Sequence, residues 1–387
     1  MAELKKLQVT EYRELGKLPD PFVFQDGTPV RTREDWRRRR QELIATAVEL
    51  QYGTMPPQPE FVEVEPLNRS GPGRIETFRI HTGTRACPFS FTMTVHRPNT
   101  EQPCPALVDG DQCYPIMNDL AVTNLFTQQG ILVAKFNRCE IVPDMRGIAR
   151  NSPIYRAYPE YTFRAIGAWA WGYSRCVDAL LQLGLVDEKC IAFTGLSRGG
   201  KTALVAGALD ERATIVNPEA PCAGGSCYRI AMRAITEDGN EARSEELDDI
   251  VRAFPDWMGP DLPAYAGRAA QLPFDEHELK ALVAPRVLFD SEAKSDIWAN
   301  PLGAYQSNIA AREVYRFLGV EENLLWYWRE GYHAQTMEDF SMLQNLMLNR
   351  IQGAPLSASD RHCGGWPGRG RRPGGQPADR GPGHSAT

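Results

Sequence analysis

Three short segments near the start of the chain alternate apolar and polar residues. They cover residues 61–64, 74–81 and 90–96, and proline, glycine and asparagine residues separate them. An apolar side chain at every second position is typical of a strand with one buried face. We therefore predict three antiparallel strands at one end of a sheet.

Further along the chain the apolar segments become short and continuous, as in strands that are buried on both faces. Helix-length segments connect them, at 118–129 and at 165–183 for example. Strands that alternate with helices predict an α/β fold, doubly wound around a mostly parallel sheet. The predicted buried strands are 106–108, 131–134, 190–194, 213–216, 286–289 and 324–328.

The two ends of the chain differ from this pattern. In residues 1–50 an extended segment precedes a helix that begins near Thr32, since Thr32 and Asp35 have the spacing of a capping box. From about residue 355 the composition changes to glycine, proline and arginine, which bury little apolar area. We predict an N-terminal extension (1–50) packed on a central domain (51–354), followed by a disordered tail (355–387).

The composition narrows the classes of function. The chain has 387 residues, 42% of them hydrophobic, and a net charge of −6. The basic residues 37–40 fit an exposed helix face, and no basic stripe interleaved with aromatic residues suggests a nucleic-acid partner. No segment reaches the roughly 18 apolar residues of a membrane span, and the N-terminus lacks the apolar core of a signal peptide. We expect no membrane partner and, from the sequence as given, a cytoplasmic location.

Nine cysteines are scattered along the chain without C-x-x-C spacing. Zinc sites and redox motifs normally bring cysteines together at such short spacings. We therefore expect neither a metal site nor any other cofactor, and no redox motif.

The sequence Gly-Leu-Ser-Arg-Gly-Gly-Lys at 195–201 lies between the predicted strand 190–194 and a helical segment at 202–209. A serine on a tight strand-to-helix turn needs small neighbours, which leave its hydroxyl exposed beside backbone N–H groups. Ser197 is therefore the candidate nucleophile, and a serine in the middle of such a sheet is typical of the α/β-hydrolase fold, a three-layer sandwich.

A serine nucleophile needs a base to accept its proton. Six histidines are present, and four of them lie in the opening strands or in the tail. His277 lies among helix-forming residues, whereas His333 follows the last predicted strand. The base of an α/β-hydrolase occupies that second position, so we assign the role to His333.

An acid must orient the imidazole, and it should lie between the serine and the histidine at the end of a strand. Glu219 follows the strand after the serine turn. Asp290, Glu292 and Asp296 follow the strand 286–289. Position alone slightly favours the later cluster, and both locations stay open at this point.

Several segments together resemble the glucuronoyl esterases, family fifteen of the carbohydrate esterases. The serine turn is similar to the G-C-S-R-x-G-K signature of that family. Glu-Ala-Pro-Cys-Ala-Gly-Gly-Ser-Cys-Tyr-Arg at 219–229 resembles its E-S-G-x-G-G-x-x-C-W-R segment, and 273–286 resembles its P-F-D-x-H-x-L…A-P-R block. The segments at 168–175 and 298–301 resemble those of bacterial members.

The resemblance implies a role for each matching residue. Ser197 is the nucleophile, His333 the base and Glu219 the acid, with Asp296 in reserve. Arg198 stabilises the oxyanion. The expected substrate contacts are Lys201, Trp298 and a glutamate, which is Glu246, with Glu241 and Glu245 as the other candidates for that glutamate.

The sequence also departs from the family. Fungal members have a cysteine before the serine and another after the histidine, where this chain has Leu196 and Ala334. The chain is therefore similar to a bacterial branch. Family members that act on plant cell walls would be secreted or periplasmic, which conflicts with the cytoplasmic location expected from the N-terminus.

We expect a monomeric serine esterase that forms an acyl-enzyme and hydrolyses esters of 4-O-methyl-glucuronic acid, as in lignin–xylan linkages or their fragments. One alternative is an esterase for acetylated sugars or small alkyl esters. Another is an inactive relative that only binds carbohydrate.

Overall fold

The computed structural model describes residues 6–70, 74–147, 149–353 and 362–363. The strands are β1 (Gln8–Glu14), β2 (Phe61–Ser70), β3 (Ile75–Gly83), β4 (Pro88–His96), β5 (Cys104–Asp109), β6 (Leu132–Phe136), β7 (Val186–Leu196), β8 (Ile215–Glu219), β9 (Ile230–Ile235), β10 (Glu241–Arg243), β11 (Val287–Ala293), β12 (Leu324–Arg329) and β13 (His362–Cys363). The α-helices are α1 (Arg33–Leu43), α2 (Leu120–Thr127), α3 (Pro153–Ala157), α4 (Ala165–Gln182), α5 (Arg198–Leu209), α6 (Leu247–Ala253), α7 (Glu276–Ala281), α8 (Pro301–Leu318) and α9 (Met337–Gln352). The π-helical segment Ile44–Leu50 continues α1.

Ten of these strands form the central sheet, in the order β13-β12-β11-β8-β7-β5-β6-β4-β3-β2. Neighbouring strands from β13 to β6 are parallel, whereas β2, β3 and β4 are antiparallel at the other end. Both the parallel centre and the three antiparallel opening strands confirm the prediction.

Apolar side chains pack on both faces of this sheet. One face buries Trp169 of α4 and Leu204 of α5 in the larger core. The other face buries Phe126 of α2 and Phe340 of α9, whose rings meet edge to face at 6.3 Å. Helices therefore cover both faces, and the molecule is the three-layer α/β-hydrolase sandwich that the sequence predicts.

Some predicted elements are longer in the structure than in the sequence pattern. The apolar segment at 213–216 predicts only the first part of β8, which continues through polar Asn217 to Glu219. The strand extends because β7 and β11 pair with it on both sides, a contribution from tertiary structure that a local pattern does not contain. This extension brings a carboxyl group to the sheet edge where Ser197 lies.

The N-terminal segment forms part of a second, smaller sheet, which the sequence pattern does not predict. Strand β1 pairs antiparallel with β9, and β9 pairs with β10. The predicted capping box is present, because Thr32 and Asp35 exchange hydrogen bonds of 2.9 and 3.0 Å at the start of α1. The domain boundary at residue 50 stays a prediction.

Most of the predicted tail 355–387 lies outside the described residues. Two of its residues form β13, which pairs parallel with β12. Among the helices of the described segments, none is long and apolar enough to cross a bilayer.

Candidate active site

Ser197 occupies the turn between β7 and α5, with φ 60° and ψ −114°. Positive φ is strained for a residue with a side chain, and such strain is typical of catalytic turns. The neighbouring glycines make the turn possible. A Cβ on Gly199 would lie 2.1 Å from a carboxylate oxygen of Asp111, and one on Gly195 would lie 2.6 Å from the carbonyl oxygen of Gly199. The G-x-S-x-G pattern therefore forms the predicted nucleophile elbow.

His333 follows β12, and its Nδ1 lies 2.5 Å from Oδ2 of Asp296, which follows β11. Asp296 is buried, and its other oxygen accepts a 3.3 Å hydrogen bond from the backbone N–H of Ala299. A carboxylate at Nδ1 fixes the ring tautomer in which Nε2 of the neutral imidazole accepts a proton. His333 is thus prepared to act as a base, at the same sheet edge as Ser197.

The Glu219 side chain, which the family resemblance gives the role of the acid, makes its contacts in the structure with residues other than His333. Its carboxyl group is fully buried, accepts a hydrogen bond from the Ser291 hydroxyl and lies 3.8 Å from the Arg329 guanidinium. Glu219 lies directly beside Ser291 in the sheet, so its side chain is directed to that neighbour. The contact with His333 is made by Asp296, the reserve acid.

Glu219 nevertheless supports the elbow through its backbone, because its carbonyl oxygen accepts a 2.8 Å hydrogen bond from the Ser197 N–H. Burial raises the pKa of its carboxyl group well above the usual range, and the nearby Asp339 charge raises it further. A neutral carboxyl group at this position makes a weak partner for an imidazolium.

The two other acids of the later cluster do not make the contact with His333 either. Asp290 accepts 2.8 and 2.7 Å hydrogen bonds from Lys280 and Asn308. Glu292 is fully buried, and neither of its carboxyl oxygens has a hydrogen-bond partner in the described part of the chain. Burial raises the pKa of Glu292, and so do the charges of Asp290 and Asp296.

Arg198 directly follows the serine, and its Nη1 lies 2.6 Å from Oδ2 of Asp144. The guanidinium also lies 4.7 Å from the centre of the Trp257 ring, and Trp257 Nε1 donates a 2.9 Å hydrogen bond to the same carboxylate. Burial disfavours the charge of Arg198, but the hydrogen bond with Asp144 and the negative charge of Asp144, together with smaller contributions, outweigh it, and the pKa is raised. A fixed cation beside the nucleophile suits the negative charge that develops on an ester oxygen.

Lys201 is 2% exposed, and its Nζ lies 3.8 Å from Oε2 of Glu245. Glu245 also accepts a 3.1 Å hydrogen bond from the Ala223 N–H. Burial raises the pKa of Glu245, and the Lys201 charge opposes that effect. The two side chains form a polar pair one helical turn beyond the nucleophile.

Glu246, the predicted substrate contact, has protein partners in the structure, and its contact with substrate stays a prediction. Glu246 lies 2.6 Å from Arg13 of β1 and caps the start of α6, where its side chain and that of Asp249 form a capping box. Consecutive residues ahead of a helix point in different directions, so Glu245 reaches Lys201 while Glu246 caps. Glu241, the third candidate, is an exposed residue of β10.

Trp298 lies two residues after Asp296 and is 42% exposed, so it is not a core residue. The Arg243 guanidinium lies 5.4 Å from the centre of the Trp298 ring. The backbone oxygen of Trp298 accepts a 3.0 Å hydrogen bond from the Glu245 N–H. Trp298 thus presents an apolar ring at the surface, and its backbone is hydrogen-bonded to that of Glu245.

Two supporting residues were missed by the sequence reasoning. Asp144 lies in the segment after β6, at the edge where catalytic side chains gather, and that position was the only available signal. Trp257 lies far away along the chain, in a segment that carries no catalytic pattern.

Comparison with known proteins places this geometry in a family. The model of the family described as "Glucuronyl esterase, fungi" matches residues 80–319. The chain belongs to the glucuronyl esterase family. Members of this family are carboxylic ester hydrolases, and two curated relatives are 31% identical to the chain. One is 4-O-methyl-glucuronoyl methylesterase 1 of Wolfiporia cocos, over 79% of this chain and 73% of that protein. The other is 4-O-methyl-glucuronoyl methylesterase of Hypocrea jecorina, over 90% and 74%.

Solved structures of the glucuronyl esterase family have the same fold. A family 15 glucuronoyl esterase from Caldicellulosiruptor kristjansonii has a TM-score of 0.76 and 30% identity, and the match covers 88% of this chain and 91% of that one. The glucuronoyl esterase catalytic domain of Hypocrea jecorina has a TM-score of 0.74 and 26% identity, with 91% and 93% covered. The two curated relatives are fungal and give no support to a bacterial branch.

Proposed function

We propose that this protein is a serine esterase for esters of 4-O-methyl-glucuronic acid, with Ser197, His333 and Asp296 as its catalytic triad. The observation that carries the proposal is the 2.5 Å contact between Asp296 and His333, at the sheet edge where the elbow presents Ser197. The names of the curated relatives give the substrate class, the 4-O-methyl-glucuronoyl methyl esters. The substrates that we propose for this protein are lignin–xylan linkages or their soluble fragments.

The reaction proceeds in two stages. The Ser197 hydroxyl attacks the ester carbonyl carbon while His333 accepts its proton and Asp296 stabilises the imidazolium. Arg198 stabilises the oxyanion of the tetrahedral intermediate. His333 then protonates the leaving alcohol, and an acyl-enzyme remains on Ser197.

In the second stage water attacks the acyl-enzyme. His333 removes a proton from that water, and collapse of the second tetrahedral intermediate returns the proton to the Ser197 oxygen. Free uronic acid leaves. No atom is supplied by a metal or cofactor in either stage.

Lys201, Glu245 and Trp298 are proposed to bind the sugar. A buried ammonium–carboxylate pair offers both donors and acceptors to hydroxyl groups, and the indole offers an apolar surface to the ring. An acetyl group or a small alkyl ester has no such hydroxyl groups, so this arrangement favours the uronate over acetate.

The first experiment compares initial rates on benzyl or methyl glucuronate with rates on 4-nitrophenyl acetate. Ser197→Ala is the blank, and Ser341→Ala is the matched control, because Ser341 lies on an exposed turn of α9. We expect a higher initial rate on the glucuronate ester than on 4-nitrophenyl acetate. Ser197→Ala should hydrolyse neither ester, and Ser341→Ala should keep both rates.

Activity on acetate alone would keep the mechanism and exclude the glucuronate substrate. If Ser197 does not react with a fluorophosphonate probe in the folded protein, the chain is an inactive relative and the proposal is wrong.

A further inference from the structure

Two cysteines that are 26 positions apart in the sequence are brought together beside the residues that hold Arg198. Cys113 follows β5 and Cys139 follows β6. Beyond these strands the two chain segments remain paired, through an isolated bridge between Asp111 and Asn137 and a 3.2 Å hydrogen bond from the Arg138 N–H to Gly110. The fold thus fixes the two cysteine-bearing segments against each other.

The paired segments place the two thiols close enough for each to change the pKa of the other. Cys113 is exposed and Cys139 is half-buried, so small molecules in solution can reach the pair. The residues next to them are also in contact, since the Arg138 guanidinium lies 5.3 Å from the centre of the Tyr114 ring. Arg138 itself is fully buried and paired with Asp111, which anchors the whole arrangement.

Cys139 is connected to the active site by direct contacts. The backbone N–H of Asp144 lies near its sulfur and helps to lower the pKa of the thiol. The Asp144 carboxylate holds Arg198 at 2.6 Å and accepts from Trp257 at 2.9 Å. A movement of Cys139 therefore reaches the cation beside Ser197 through a single intermediate residue.

The environment also favours thiol chemistry at Cys139. The interaction with the Cys113 thiol is the main cause that lowers the pKa of Cys139 to about 6, and the Arg138 charge adds to it, while burial opposes both. The same interaction raises the pKa of Cys113. A thiolate at neutral pH is the form that attacks disulfides.

The six other cysteines whose side chains the structure describes do not share these properties. Five of them are buried: Cys104, Cys176, Cys190, Cys222 and Cys227. Cys87 is half-buried, but its sulfur faces the Pro153 carbonyl oxygen at 3.7 Å and not a second thiol.

We propose that Cys113 and Cys139 form a reversible redox site, and that a disulfide between them draws Asp144 away from Arg198 and slows ester hydrolysis. The two sulfurs must approach to about 2.0 Å to form the covalent bond, and the two segments must move to allow it. The consequence for catalysis rests on the proposed function, whereas the formation of the disulfide does not.

The oxidant is a small disulfide such as oxidised glutathione. The Cys139 thiolate attacks one of its sulfurs, which forms a mixed disulfide and releases one glutathione thiolate. Cys113, after losing its proton, attacks the Cys139 sulfur of the mixed disulfide and releases the second glutathione. The cysteine pair loses two electrons and two protons, and oxidised glutathione gains both.

The test uses the full chain in glutathione buffers of increasing oxidising strength. Free thiols are blocked, linked peptides are mapped by mass spectrometry, and kcat/KM is measured on a glucuronate ester before and after reduction with dithiothreitol. We expect a Cys113–Cys139 peptide, a roughly tenfold fall in kcat/KM and full recovery. A tenfold fall is smaller than the roughly 10²-fold or larger loss that removal of an oxyanion donor causes, because Arg198 is displaced and not deleted.

Three variants make the test specific. Cys139→Ser lacks the attacking thiol and should have the same kcat/KM in oxidising and reducing buffer. Cys113→Ser lacks the resolving thiol and should stop at the Cys139–glutathione mixed disulfide, which mass spectrometry detects. Cys87→Ser is the matched control and should respond like the unaltered chain. The proposal is overturned if no linked peptide forms, if the linked protein keeps its kcat/KM, or if Cys139→Ser loses as much activity in oxidising buffer as the unaltered chain.

Failure of the proposed function would look different. A reduced protein without any esterase activity would contradict that proposal alone. The linked peptide would still report on the disulfide. The fluorescence of Trp257, identified by its loss in Trp257→Phe, would still report on Asp144, and an unchanged Trp257 signal in the linked protein would overturn the coupling.

Discussion

The backbone oxygen of Glu219 accepts the hydrogen bond of the Ser197 N–H, while the Glu219 carboxyl group is directed towards Ser291. One residue thus fixes the strained nucleophile through its main chain and has its side chain elsewhere. Different residues therefore support the serine and orient the base. Glu219 supports Ser197, and within the described residues Asp296 is the acid that hydrogen-bonds to His333.

This separation predicts unequal effects of two substitutions. Asp296→Asn should lower kcat by roughly 10³- to 10⁴-fold, because the imidazole loses the partner that sets its tautomer. Glu219→Gln should lower kcat less than tenfold, because a neutral amide replaces a carboxyl group whose pKa burial has already raised. Steady-state kinetics on a glucuronate ester would measure both. A larger loss in Glu219→Gln would return the role of the acid to that residue.

Asp144 should act as a positioning residue for Arg198. Asp144→Asn keeps the size of the side chain and removes the charge, so we expect kcat to fall roughly tenfold with little change in KM, while Arg198→Ala should cost about 10²-fold or more. Asp187→Asn, at a half-buried position near the start of β7, is the matched control. An unchanged kcat in Asp144→Asn would show that Arg198 is held in place without the ion pair.

The two adjacent glutamates should have different functions. Glu245→Gln should raise KM for glucuronate esters and leave 4-nitrophenyl acetate unaffected, because only the sugar contacts the Lys201–Glu245 pair. Glu246→Gln should leave both KM values unchanged and lower the free energy of unfolding by about 0.5–1 kcal/mol, since it weakens a helix cap. Kinetics and urea unfolding of both variants would test this, and a KM effect in Glu246→Gln would contradict it.

Glu278 should make the folded protein less stable as the pH rises. Burial raises its pKa from 4.5 to about 7, and this outweighs the charge of Arg39, which lies 3.4 Å away. The folded state therefore holds a proton that the unfolded state has lost. The stabilisation is fully present below pH 4.5 and is lost as the pH rises to about 7. One such group contributes a slope of at most roughly 1.4 kcal/mol per pH unit.

Urea unfolding between these two pH values would measure that slope. Glu278→Gln should flatten it, because an amide does not titrate. Glu313→Gln, on an exposed surface of α8, is the matched control and should leave the slope unchanged. An equal slope in Glu278→Gln and the unaltered chain would contradict the prediction.

The elbow and the base were predictable from the sequence because each depends on a local signal. Gly195 and Gly199 flank a serine between a strand and a helix, and His333 directly follows the last strand. The sheet was predictable for the same reason, since continuous apolar runs alternate with helix-length segments. These features need no information about which side chains meet.

The choice of the acid was not predictable in this way. Glu219 and Asp296 both end strands at the same sheet edge, and what separates them is the direction of each side chain after the backbone has been placed. Position in the sequence slightly favoured the later cluster, whereas the family resemblance favoured Glu219. Neither the position nor the resemblance shows that Glu219 of β8 lies beside Ser291 of β11. That pairing directs the Glu219 side chain to Ser291 and leaves the contact with His333 to Asp296.

The cysteines give a second example of this limit. Spacing along the chain excluded a C-x-x-C motif, yet Cys113 and Cys139 meet because β5 and β6 are neighbours in the sheet. A contact between residues on adjacent parallel strands leaves no short-range pattern, since a crossover connection of a dozen or more residues separates them.

The ion pair between Arg13 and Glu246 joins the first strand of the chain to the residue beside Glu245. If Lys201 and Glu245 bind the sugar as proposed, sugar binding and the docking of β1 are linked equilibria, and a ligand that orders one orders the other. Detachment of β1 would weaken substrate affinity before it exposed the main core. Strand β1 would thus affect the apparent affinity of the proposed sugar site without any change in the catalytic residues.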